Sequence, residues 1–224
     1  RHSARADGPW VGTDYWAGII HFSKWVIASS FLFSLYSRID MLILSRFVNA
    51  AEIGQYAAAW NITFIIDLMT YSVIIALLPQ AVKIRHHSDF PNYLKKTFAI
   101  CLLLAVALTP LFILSNWFFA VFFPAYTESA DLFRILFVGA IITLLFHPLY
   151  LILYARNRVS RLAIINLFLV IFCTILGLSV IPTYGAQGAA WVTVTGRVFS
   201  SVLICYFVHL ELQTIFSEGK VQAA

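Results

Sequence analysis

Trp25-Val26-Ile27-Ala28-Ser29-Ser30-Phe31-Leu32-Phe33-Ser34-Leu35-Tyr36-Ser37-Arg38-Ile39-Asp40-Met41-Leu42-Ile43-Leu44-Ser45-Arg46-Phe47 decides the fold. These 23 residues, rising about 1.5 Å each as a helix, are long enough to cross a bilayer. Arg38 and Asp40 nevertheless lie well inside the stretch. A charge at membrane depth costs at least ~2.5–3.5 kcal/mol, so it survives only against protein or trapped water. Such a helix does not stand alone in lipid. Others must cover its charged side, and the chain reads as the wall of a polar intramembrane cavity.

The rest of the chain supplies those neighbours. Of 224 residues, 61% are hydrophobic and 11% charged, and mean hydropathy is +0.87, which excludes an ordinary soluble domain. Apolar stretches follow at about 55–78, 98–119, 131–154, 162–180 and 188–210. The expected fold class is therefore all-α, an integral membrane bundle of six transmembrane helices. Residues 1–21 read as a cytoplasmic or interfacial segment, 22–210 as the six-helix lobe and 211–224 as a cytoplasmic tail. Alternation of the outer-membrane-barrel kind is absent, and the N-terminus lacks the apolar core and cleavage site of a signal peptide. Cys101, Cys173 and Cys205 each sit inside a span without metal or disulfide spacing, and read as small packing residues. No cofactor and no metal site are expected.

The basic residues report topology. Arg1, Arg5, Lys24, Lys83, Arg85, Lys95, Lys96, Arg156, Arg158, Arg161 and Lys220 fall on one side of such a bundle, Arg46 and Arg134 on the other. By the positive-inside rule both termini are then cytoplasmic. The net charge of +5 points to membrane lipid headgroups, with no nucleic acid as partner.

Along the first span Ser30, Ser34, Ser37, Arg38 and Ser45 share one helix face, while Asp40 points the other way with Phe33, Tyr36 and Ile43. The serines suit either close helix packing or a wetted wall, and Arg38 favours the wall. In the second span Tyr56, Trp60, Thr63, Asp67, Thr70 and Tyr71 form a stripe, which suits packing or a polar lumen. His86-His87 reads as a solvated pair. Pro110 and His147-Pro148 lie within spans and are expected to kink them, as hinges or as static bends. Asn166 and Thr174 interrupt an otherwise apolar fifth span. The sixth opens on the small residues Gly185 to Ala190 and carries Arg197 near its centre.

No P-loop, GxSxG or HExxH occurs, and nothing positions the serine face and His147 as a hydrolase, so the chain is not read as an enzyme. The informative constellation is Arg38, Asp40, Asp67 and Arg197. Such residues mark a substrate path or pair to lock helices together. Counted from the helix ends, Asp40 lies about 11 Å deep and Arg197 about 14 Å, which makes them the expected pair.

The segment Ser37 to Leu44, followed by Glu52 to Trp60, resembles the RxD-apolar and xxGxYxxA signature of polysaccharide flippases. Ile181 to Ala190 is similar to that family's PxYGxxGAA opening of its last helices. These are O-antigen and exopolysaccharide translocases of the multidrug/oligosaccharidyl-lipid/polysaccharide exporter superfamily. The resemblance covers about 22–206 and implies one lobe of a two-lobe transporter, completed by a missing N-terminal lobe or a homodimer partner. It implies flipping of an undecaprenyl-pyrophosphate-linked oligosaccharide, alongside polysaccharide polymerase or synthase proteins. Arg38, Asp67, Arg197, Asp40, Ser34, Tyr56, Trp60 and Tyr71 are the lumen candidates, with Arg38 on the cargo's phosphates unless Asp67 neutralises it. A drug or metabolite/cation antiporter, and a non-transporting membrane partner of a synthase, remain as alternatives.

Overall fold

The computed structural model describes residues 13–82, 89–155 and 159–222. It consists of α1 (Thr13–Phe47), α2 (Ala50–Val82), α3 (Asp89–Ile113), α4 (Ser115–Phe122), α5 (Ser129–Ala155) and α6 (Val159–Gln222), with a single 3₁₀ turn at Pro124–Tyr126. Among the described residues there is no strand. Five helices among the described residues are long and apolar enough to cross a membrane, over Ser23–Phe47, Ala50–Leu77, Leu94–Ile113, Ser129–Tyr150 and Ser160–Leu210. Large apolar side chains point outward along them, among them Ile27, Phe31, Ile75, Leu103, Val106, Ile175 and Val202. In water that coat would be prohibitive; in lipid it is the expected exterior of an all-α membrane bundle.

The last of the five, at 51 residues, would reach about 76 Å as one rod, more than twice the hydrocarbon core. It is instead two arms. At Gly185 the backbone takes φ 54° and ψ −134°, a conformation closed to residues with a Cβ. Three residues earlier Pro182 withholds its N–H from the ladder. Beyond this corner side chains meet in antiparallel order: Phe172 stacks on Phe199 with ring centroids 4.5 Å apart, Cys173 lies against Gly196, and Gly177 lies near Val192. The expected fifth and sixth spans are thus the arms of one hairpin, and the segment 181–187 between them is a helical corner.

Helix α1 lies across both arms. Ser29 accepts two hydrogen bonds from Asn166 Nδ2, at 3.1 Å on its carbonyl and 3.0 Å on its hydroxyl, while Tyr36 reaches Gly196 and Ile43 reaches Gly177. The polar interruption at Asn166 is therefore a rivet between α1 and the first arm. Helices α2 and α5 pack on the second arm's other side, around Tyr56, Ile62, Leu136, Ala140, Ala189 and Ala190. A second cluster joins Leu153, Leu162, Ile165 and Leu169 to Ile204 and Val208.

The third apolar stretch departs from its expected bounds. Pro110 removes the bond to the carbonyl one turn earlier, Leu114 turns to φ −88° and ψ 9°, and α3 stops at Ile113 before α4 restarts. Phe119 of α4 tucks against Phe133 of α5. His86-His87, Arg156 and Arg158 lie outside the described residues, as does the side chain of His147.

Candidate functional site

Asp40, turned inward from α1, is 5% exposed. Its Oδ1 accepts the Met41 N–H at 2.7 Å, and its Oδ2 accepts the Tyr56 hydroxyl from α2 and, at 2.9 Å, the Thr193 hydroxyl from the second arm of α6. Thr193 Oγ1 also lies 3.0 Å from the Ala189 carbonyl and 3.1 Å from Tyr56 Oη. A buried carboxylate needs such donors, since lone pairs left without partners cost free energy. Tyr56 is fully buried, so it supports this junction from behind.

One turn further along the second arm, Arg197 forks onto Asp67 of α2. Nη1 meets Oδ1 and Nη2 meets Oδ2, both at 2.8 Å, and the side chains are 12% and 14% exposed. The guanidinium reaches α2 by passing beside Gly139 of α5, where a Cβ would lie 3.0 Å from Arg197 Cδ. This corrects the expected Asp40–Arg197 pair. Depth along the helix axes brought those two to similar heights, but Thr193 holds the place beside Asp40. Arg197, four residues on and one turn deeper on the same face, meets Asp67 instead.

With Asp67 engaged, Arg38 has no carboxylate partner among the described residues. Its side of α1 is open: Arg38, Ser30, Ser34 and Ser45 are exposed and Ser37 half-buried. Ser37 and Ser45 turn their hydroxyls back to the Ser34 and Leu42 carbonyls at 2.9 and 2.8 Å, which hides those donors from lipid while leaving oxygens toward any solvent. The Arg38 guanidinium carbon sits 4.9 Å from the Trp60 ring centroid, and Trp60 stacks on Phe64 at 5.2 Å with 13° between planes. The α2 stripe divides. Thr63 and Thr70 are buried and bond their own helix carbonyls, while Trp60 and Tyr71 are half-buried.

Sequence reasoning assigned no role to Glu52. Asn49 caps α2 by accepting the Glu52 N–H at 2.9 Å, which frees the Glu52 carboxylate to accept the Ala186 N–H at 2.8 Å. The two sequence signatures around Glu52 and Gly185 therefore touch. Gly139 and Thr193 were also missed. Thr193 was findable as the polar residue one turn before Arg197; Gly139 carries no local signal.

Over 208 residues the chain is 23% identical to the "Probable low-salt glycan biosynthesis flippase Agl15" of Haloferax volcanii, a match covering 91% of this chain and 44% of that protein. The likeness is to a flippase. The chain spans somewhat under half the length of that curated relative. No protein-family model matches, and no solved structure does.

Proposed function

We propose that the chain is one lobe of a transporter that flips a lipid-linked oligosaccharide between leaflets, its cargo an oligosaccharide carried on undecaprenyl pyrophosphate. The observation that carries this reading is Arg38, an exposed guanidinium within a membrane span and without a carboxylate partner among the described residues. Toward lipid it would cost at least ~2.5–3.5 kcal/mol. Toward a hydrated path it would attract an anion, and Arg forks naturally onto phosphate oxygens. The likeness to a glycan biosynthesis flippase supports the same reading. The 44% coverage of that relative is in keeping with a second lobe closing the open side of α1, from the same polypeptide or a second copy. An antiporter would need carboxylates facing the path, whereas Asp40 and Asp67 are both engaged by neighbouring side chains.

The test is export of the glycan in a flippase-deficient host expressing the natural gene product. Arg38→Ala should abolish export at undiminished folded yield, with lipid-linked units accumulating on the cytoplasmic side. Arg38→Lys should recover only part, because Lys lacks the fork. Normal export by Arg38→Ala would refute the reading.

A further inference from the structure

The bundle anchors its two mid-span arginines in different ways. Arg197 is held by a carboxylate, which occupies Nη1 and Nη2 and leaves a neutral, half-buried pair. Arg38 is held over an indole ring at 4.9 Å. A ring face attracts a cation through its quadrupole, yet it cancels no charge and offers no acceptor atom. An arginine so anchored keeps a full positive charge and its rim of N–H donors. Trp60 is itself fixed, half-buried and backed by Phe64 one helical turn further along α2.

From this contrast we infer that Trp60 is the positioning residue of an anion-binding Arg38. Its indole holds the guanidinium toward the open face with the donors left for a phosphate or pyrophosphate headgroup, and Phe64 keeps the indole in place. The inference rests on the reading of Arg38 as the cargo contact and adds how that contact is oriented. The long Arg side chain is rich in rotamers, and binding would otherwise have to immobilise it at each encounter. Anchoring on a ring removes much of that cost beforehand. A carboxylate would do so only by competing with the ligand for the same donors.

The experiment uses the natural gene product in nanodiscs and compares binding of undecaprenyl pyrophosphate with that of uncharged undecaprenol. Trp60→Leu should weaken undecaprenyl pyrophosphate binding by about two- to thirty-fold, the span of a cation–π contact, and leave undecaprenol unaltered. Trp60→Tyr should restore part of the loss. In an Arg38→Ala background Trp60→Leu should add nothing further. Fluorinated tryptophans placed at position 60 keep shape and packing while draining the ring face of negative charge, so affinity should fall stepwise with each fluorine. That series carries the test if Trp60→Leu does not fold. Equal losses for both lipids, additive losses in the double variant, or indifference to fluorination would overturn the inference. Undiminished pyrophosphate binding by Arg38→Ala would overturn the underlying reading of Arg38 instead, so the two failures are distinguishable.

Discussion

Removing either half of the Asp67–Arg197 fork strands the other charge in the bundle, a loss of about 3–5 kcal/mol for buried pairs. Asp67→Asn and Arg197→Gln should therefore each lower the melting temperature in detergent sharply, and an exchange of the two charges should recover part of the loss. Asp40 and Arg197, the pair suggested by depth, have separate hydrogen-bond partners and should show a smaller coupling in a double-mutant cycle than Asp67 with Arg197. Tyr56→Phe takes one hydroxyl from the Asp40 carboxylate and should cost about 1–3 kcal/mol by thermal unfolding. That four charges would lie inside spans was legible from residue identity. Their partners were not, because counting along a helix gives height and leaves open which neighbour occupies each direction around the axis.

The hairpin formed by α6 turns on one residue, and at this scale the backbone and the contact at Gly185 can be separated. A Cβ there would run into the Glu52 carboxylate, and φ 54° with ψ −134° penalises any side chain regardless of room. The backbone share alone is about 1–3 kcal/mol. Gly185→Ala should accordingly lower folded yield, and adding Glu52→Ala should not restore it. Restoration would mean that the contact, rather than the dihedral, is what fails. The number and rough placement of the apolar stretches were readable from hydropathy. The corner was not, because Pro182-Thr183-Tyr184-Gly185 has the composition of a loop, and only the partners across the arms reveal that helix continues up to the bend. The break between α3 and α4 was half legible: Pro110 announced a disturbance, while the restart at Ser115 depends on where Phe119 finds α5.

For the molecule as a whole, three chain reversals gather at one end. Glu52 joins the α1–α2 turn to the Gly185 corner, and Gln55 joins α2 to the start of α5, accepting from Ser129 at 2.5 Å and donating to the Ala125 carbonyl at 3.3 Å. The expectation from the uneven spread of basic residues is that this end faces outside. With Cys101, Cys173 and Cys205 replaced, single cysteines at Glu128 and Thr183 should react with an impermeant thiol reagent on intact cells, and one at Lys95 only after the membrane is opened. The inverse pattern would reverse the orientation. The bundle's outline was visible in the apolar stretches. Its open side was visible only in part, since the serine face of α1 also suited packing, and only Arg38 favoured a wetted wall until the neighbours of α1 were known.

The fork between α2 and the second arm also has a history in time. Asp67 and Arg197 are 130 residues apart in the chain. At translation rates of about 5–20 residues per second, Asp67 is made roughly 7–26 s before its cation. Asp40 gains its first side-chain donor from Tyr56, 16 residues behind it, within about 1–3 s. During the longer interval Asp67 lacks the guanidinium that engages it in the folded chain. A chain broken off anywhere before Arg197 never leaves that interval.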